Sequence, residues 1–378
     1  MIMKKELGVN KLALCVAILF TLCNIAAVNG LENNVESNFQ SVPSDQVSDI
    51  LTMISNTTHA NYNRIKTWCG RIDVTADLTR EGVAAEKLLA NKPSCAGKNA
   101  EVVTERRHTI IEFAADCERE LFYAKKSRQK PRQYIDAESG EILCERSVPW
   151  HNVSIGTPEY QIRCLAAKKR GDVVTARKAV KEERPTEEGC STCGKNYVFD
   201  PRSSSISEPF WETFPRILQF IEDHGEYSFD GHSLRVEKRL DGTITEYRVT
   251  LPGMVSPGQY LFRTMVFSSE KGFNITLLET RRTDGKLFQK GTWDYEVIDN
   301  VHLPSRTTTQ NFAGESAKLS DQSECIFVNS QLNQTIPGNT FSYKNLGMKE
   351  GDKFQNKIEN KEYIYREATK ELELVEQN

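Results

Sequence analysis

Between Ser44 and Lys66, apolar residues recur at three- and four-residue steps. Val47, Ile50, Leu51, Ile54, Tyr62 and Ile65 fall on one face of a helix that Ser44 can cap. The period then changes. Trp68, Gly70, Ile72 and Val74 alternate with Cys69, Arg71 and Asp73, the period-two signature of a half-buried strand. A second amphipathic helix is predicted from about Pro209 to His224, with Phe210, Phe214, Ile217, Leu218 and Ile221 on one face, Pro215 as a kink and Gly225 as its stop. Both apolar faces need a partner.

Most of the remaining chain reads as hairpins. HTIIEFAADCERELFYAKK predicts two strands around a turn at Cys117 to Glu120, and YIDAESGEILCER repeats the pattern around Ser139-Gly140. After the second helix, strands turn at Asp241-Gly242 and Asp284-Gly285, and further strands surround Leu261 to Phe267 and Val301 to Phe312. Trp293, Tyr295 and Val297 alternate with Asp294 and Glu296, as an antiparallel sheet with one covered face requires. SECIFVNSQLNQ, TFSYKN and KEYIYRE read as strands that complete it. Between about 150 and 195 the pattern weakens into a Cys-containing insertion, where Tyr160 to Ala167 is a strand and Asp172 to Glu183 fits helix or strand.

The N-terminus carries an address. Lys4 and Lys5 precede an apolar run from Leu12 to Val28, and small residues stand at Val28 and Gly30, the pattern of a secretory signal at 1–30 with the mature chain starting at Leu31. A membrane anchor is the alternative, but a run of about 17 residues broken by Asn24 is marginal for a span. An extracytoplasmic chain with no transmembrane span is therefore expected. Residues 31–43 read as a polar tether, 44–370 as one curved-sheet domain and 371–378 as a polar tail.

Export changes the reading of the cysteines. Cys69, Cys95, Cys117, Cys144, Cys164, Cys190, Cys193 and Cys325 remain in the mature chain, an even set that points to disulfides with no pairing selected. Cys190-Ser191-Thr192-Cys193 follows a loop composition, not a strand opening a helix, so redox or zinc chemistry is weaker here than a disulfide. The six histidines lack HExxH spacing, and no GxSxG or GxxxxGK[ST] occurs, so no catalytic residue and no cofactor is assigned.

Charge adds little at the level of the whole chain. The formal charge of −3 becomes −5 once a leader carrying Lys4, Lys5 and Lys11 against Glu6 is removed, which gives no general attraction for polyanions. Locally, Lys125, Lys126, Arg128, Lys130 and Arg132 form one basic run, and Lys168, Lys169, Arg170, Arg177, Lys178, Lys181 and Arg184 form another. Both read first as solvated loops and lysine-protected sheet edges, and second as surfaces for anionic headgroups or envelope polymers. No aromatic residues interleave them, so no nucleic acid partner is expected.

The segment ILTMISNTTHANYNRIKTWCGRIDV, within residues 44 to 75, resembles the opening helix and strand of the outer-membrane lipoprotein carrier superfamily. WDYEVIDNVHLPSRTT at 293 to 308 is similar to that superfamily's late hairpin, and FDPR at 199 to 202 and FSYKNLGMKEGD at 341 to 352 resemble pieces of large exported proteins sharing this opening. What the resemblance implies is a mainly β (α+β) fold, a strongly curved antiparallel sheet or half-barrel covered by two amphipathic helices. In the carriers such a fold encloses an apolar cavity for acyl chains.

Trp68, Ile72, Phe214, Ile217, Leu218, Ile221, Trp293 and Tyr295 are the candidate cavity wall, with plain core as the competing role. The expectation is an exported, non-enzymatic protein that binds a lipid or acylated ligand, or an envelope protein partner. A disulfide-stapled structural protein with a filled core, and an envelope enzyme whose site is assembled from distant residues, are the alternatives.

Overall fold

The computed structural model describes residues 38–128, 130–147, 151–167, 176–183, 210–229, 231–256, 259–313 and 318–375. The expected leader, most of the tether, Cys190 and Cys193 lie outside them. In chain order the first elements are β1 (Gln40–Ser41), α1 (Ser44–Tyr62), β2 (Thr67–Glu81), α2 (Val83–Ala90), β3 (Val102–Asp116), β4 (Leu121–Ser127), β5 (Arg132–Asp136), β6 (Ile142–Arg146), β7 (His151–Gly156), β8 (Tyr160–Ala167) and β9 (Ala176–Glu183). There follow α3 (Phe210–His224), β10 (Ser228–Phe229), β11 (His232–Ser233), β12 (Arg235–Asp241), β13 (Ile244–Ser256), β14 (Gln259–Ser268), β15 (Asn274–Arg282), β16 (Leu287–Ile298), β17 (Val301–Ala313), β18 (Lys318–Leu332), β19 (Lys353–Asn356), β20 (Lys361–Arg366) and β21 (Glu371–Leu374). Strands take 56% of the described residues, in a curved, unclosed antiparallel sheet with helical cover, which is the fold class the sequence predicts. Among the described residues no helix is long and apolar enough to cross a membrane.

The chain groups into two compact units. Among the described residues the first holds 38–64 and 210–323, and the second holds 65–183 and 324–375. In the first unit β12 to β17 form an antiparallel meander, extended at the β12 edge by β1 from the end of the predicted tether. Its turns have local causes. Asp299 and Asn300 both have positive φ, as the tight β16–β17 turn requires, and Gly242 supplies the same freedom between β12 and β13. Register shifts at Val266/Phe267, Thr280/Arg281 and Asp294/Tyr295 bend successive strands.

One expectation is corrected at the end of β16: Trp293 is buried and Tyr295 half-buried between exposed Asp294 and Glu296, but Val297, next to the turn, is 59% exposed. At the start of α1, Pro43 occupies the cap position without a side-chain bond, and Ser44 is the first helical residue. Leu51, Ile54 and Tyr62 are the deeply buried residues of that helix, while Val47 and Ile50 are half-buried.

In the second unit β2 and β3 pair over their full length, from Thr67 opposite Asp116 to Glu81 opposite Val102. The end of β18 flanks β2, where the Asn333 N–H donates to the Thr67 carbonyl at 2.9 Å. The ladder continues through β4, β7, β8 and β9, crosses to β19 in parallel, and ends with β20 and β21. Residues 151–183, expected within an insertion, thus supply three strands of this ladder. TFSYKN, expected as a strand, instead forms two short 3-10 turns at Gly338–Phe341 and Tyr343–Asn345.

α2 lays Ala85 and Leu89 over Val103, Tyr134, Cys95 and Cys144. Within that cluster Cys95 and Cys144 are disulfide-bonded, with Cα atoms 5.3 Å apart and a sequence separation of 49. Of the other candidates, Cys69 lies in β2, Cys117 just past β3, Cys164 in β8 and Cys325 in β18. Burial raises the Cys69 pKa, and its sulfur stands 3.7 Å from the Gln331 amide oxygen.

A bridge that closes a loop of this length constrains the unfolded chain. Replacing both Cys95 and Cys144 by Ser is expected to remove about 2 to 4 kcal/mol of stability, read from the midpoint of urea unfolding. An unchanged midpoint would show that the bridge does not hold the α2 segment down.

Candidate functional site

The end of α1 is fastened to the first unit's sheet by polar bonds. The Asn61 amide donates to the His302 carbonyl at 3.0 Å and accepts from the His302 N–H at 2.9 Å. Thr58 donates to the Phe273 carbonyl at 3.1 Å, and Arg64 to the Asn300 carbonyl at 3.1 Å. Beside this clamp the Tyr295 hydroxyl donates to the Ile275 carbonyl at 2.7 Å. Burial raises the Tyr295 pKa well above its ordinary value, and the neighbouring Tyr62 adds to the effect.

α3 packs against α1 and anchors itself through Phe214, which is 0% exposed and meets Phe267 of β14 edge-on at 5.5 Å. Ile217 is also buried, whereas Leu218 and Ile221 are half-exposed. Pro215 sits inside the helix on its exposed side.

A second stripe on α3 starts an aromatic surface. Phe220 stacks on His224 at 4.3 Å and meets Tyr227 edge-on at 5.3 Å, and Tyr227 meets Phe229 at 5.2 Å. The β10–β11 hairpin places Phe229 directly opposite His232. His232 in turn meets Phe262 at 4.9 Å and Tyr260 at 5.9 Å. Phe220, Phe229, Tyr260 and Phe262 are only half-buried. An apolar and aromatic strip therefore runs from the end of α3, across the hairpin, to the start of β14.

The predicted wall residues are distributed unevenly over this arrangement. Phe214, Ile217, Leu218, Ile221, Trp293 and Tyr295 belong to the first unit. The indole of Trp293 folds back on its own strand over Gly291, where a side chain would collide with it. Trp68 and Ile72 belong to the second unit, in which Trp68 is fully buried between Phe113, edge-on at 5.4 Å, and Phe327, stacked at 5.8 Å. Sequence reading passed over Phe220, Tyr227, Phe229, His232, Tyr260 and Phe262. The signal was present as Asp230-Gly231, a turn dipeptide between aromatic residues, with Gly231 at φ +79°.

No protein-family profile matches the chain, and no curated protein sequence does. Solved structures do show likeness. A DUF1329 family protein from Desulfovibrio piger is 8% identical, with 80% of this chain and 99% of that one covered and a TM-score of 0.37. A LolA superfamily protein from Nitrosomonas europaea is 10% identical, with coverage of 78% and 99% and a TM-score of 0.34. A domain named for outer membrane lipoprotein sorting, from Vibrio parahaemolyticus, is 9% identical, with coverage of 77% and 97% and a TM-score of 0.34. The superfamily that residues 44 to 75 resemble is thus among the structural neighbours. Likeness at this level places no functional residue, and the site above stands on the side chains of this chain.

Two outcomes follow from the α1 clamp. Asn61 is 7% exposed, so Asn61→Ala leaves buried groups of the His302 backbone unbonded and is expected to cost about 2 to 3 kcal/mol. Equilibrium unfolding measures this, and a loss below half a unit would show that water replaces the amide.

The second outcome concerns pH. His302 has a buried Nδ1 without a hydrogen bond, and burial, then the Lys271 charge, lowers its pKa. Burial likewise lowers that of His108, with Lys130 and Arg106 contributing. For a histidine depressed in the folded state, the stability contribution is complete above the unfolded value of about 6.5 and is lost as pH falls through the folded one. The melting temperature is expected to fall from pH 7.5 to 5.5, and to fall less in His302→Gln. Equal slopes would remove His302 from the acid response.

Proposed function

We propose that this chain is an exported, non-enzymatic binding protein that holds a lipid-like ligand on the apolar strip of its first unit. The observation that carries the reading is the aromatic surface in which Phe220, Phe229, Tyr260 and Phe262 are half-buried beside buried Tyr227 and exposed His232, on the helix that also carries half-exposed Leu218 and Ile221. Aromatic rings of a plain core bury completely, whereas a concentration left half-open on a helix end and a two-residue hairpin offers cover to an apolar ligand. Phe214, Ile217 and Trp293 serve as the filled floor beneath it, and Trp68 and Ile72 as core of the second unit. The leader pattern and the Cys95–Cys144 bridge support an extracytoplasmic, oxidising location.

Each buried methylene contributes about 0.8 kcal/mol, so a chain of about a dozen carbons binds usefully even after substantial losses to ordering. The test is titration of the delipidated mature protein with a fluorescent fatty acid. Saturable binding is expected, with a rise in melting temperature. Phe220→Asp is expected to weaken binding about tenfold or more while the protein stays folded. Phe214→Ala is expected to cost about 3 to 5 kcal/mol of stability instead. Absence of saturable binding, with a melting temperature unmoved by lipid, would leave the disulfide-stapled structural protein as the reading.

A further inference from the structure

The aromatic strip of the first unit begins among carboxylates. α3 ends at His224, where Gly225 at φ +86° turns the chain, and its last turn carries Glu222 and Asp223, with Glu226 just past the turn. All three carboxylates are exposed. The Gln219 amide donates to Asp223 at 3.1 Å and to Glu222 at 3.4 Å, and the Ser228 hydroxyl donates to Glu226 at 2.8 Å. Among the described residues none of the three forms an ion pair. Arg216 and Arg235 are the nearest Lys or Arg in sequence, and neither pairs with them.

These charges stand where helix stability disfavours them. The free carbonyls of a last helical turn give that end a negative potential, which Lys, Arg or charged His offsets. Here Glu222 and Asp223 add to it, and Glu226 adds a third negative charge. His224, in the same turn, is directed to the rings, with its Nδ1 donating to the Phe220 carbonyl at 3.0 Å and its ring stacked on that of Phe220.

The same short stretch carries the open rings. Asp223 follows Phe220 by three residues, so the two are neighbours on the helix surface. Phe229, on the hairpin, stands 6.1 Å from Phe220 between ring centres, and Tyr227 meets both edge-on. Ser228, which holds the Glu226 carboxylate, lies between Tyr227 and Phe229 in the chain. Aromatic faces attract cations, and quaternary ammonium groups are recognised in this way. An anionic head at this end of the strip would instead stand among like charges.

We propose that the ligand of this strip is a cationic amphiphile, an alkyl chain with a quaternary ammonium head, an inference that rests on the strip being an apolar ligand surface. The chain lies along Leu218, Ile221 and the half-buried rings. The head is drawn to Asp223 and Glu226 beside the rings of Phe220 and Phe229. Both charge and ring contribute to its selection, so the two contributions separate by mutation.

The test titrates the delipidated mature protein with three probes of one chain length, each below its micellar concentration, at pH 8 and low salt. Dodecyltrimethylammonium, dodecanoate and dodecyl maltoside carry a cationic, an anionic and a neutral head. The expected result is saturable binding of one molecule per chain, with the ammonium about tenfold tighter than dodecanoate and the maltoside between them. Screening by about 0.5 M sodium chloride is expected to narrow that gap. The double substitution Asp223→Asn and Glu226→Gln is expected to abolish most of the preference while leaving maltoside binding unchanged. Phe220→Leu, which keeps apolar area but removes the ring, is expected to reduce the preference about threefold. Equal affinity for the three heads, tighter binding of dodecanoate, or a preference undiminished in both variants would overturn the proposal and leave the strip as an apolar ligand surface. Absence of binding by all three probes would overturn that reading as well.

Discussion

The cover of the first unit's sheet depends on how the end of α1 is held. A helix of 19 residues with a modest apolar face is marginal alone in water, so its position has to come from tertiary bonds. The Asn61 amide supplies two of them to one residue, giving to the carbonyl of His302 and taking its N–H, which fixes both height and rotation of the last turn. Thr58, one turn earlier, bonds the Phe273 carbonyl on a different turn of the meander. α3 then packs on α1 as well as on β14, so the helix that carries the aromatic strip inherits its placement from the clamp.

Local periodicity made most of the fold legible. α1, α3, the β3–β4 and β5–β6 hairpins and the turns at Asp241-Gly242 and Asp284-Gly285 all follow from residue spacing and turn chemistry. Where spacing failed, the cause lay outside the segment or at its end. Along β16 the alternation holds from Trp293 to Glu296, and Val297 is exposed because it sits beside the β16–β17 turn. β7, β8 and β9 looked like an insertion because their partners, β4 on one side and β19 on the other, lie far along the chain. TFSYKN has strand-like residues, but Pro337-Gly338 just before it start a 3-10 turn.

The candidate site was legible only in its floor. Phe214 and Ile217 declare themselves by helical spacing, and both are buried. Phe220 lies off that stripe and gains meaning only through Tyr227 and Phe229, which a two-residue hairpin brings beside it. Trp68 and Trp293 looked equivalent as strand-borne aromatics, yet one is wedged between Phe113 and Phe327 and the other is folded over Gly291.

The basic run shows the same limit from the side of charge. Read linearly, Lys125 to Arg132 is a solvated stretch, and Lys125 behaves accordingly by pairing with Glu112 on a half-exposed face of the sheet. Alternation turns Arg128 to the opposite face, and the partner change along β3 brings Arg107 and Glu105 to it. Surface ion pairs of this composition contribute little to stability, and buried ones are often less stabilising than apolar side chains of the same volume. An interior built for stability alone would continue the apolar cluster of Val103, Leu89 and Ala85 into this space.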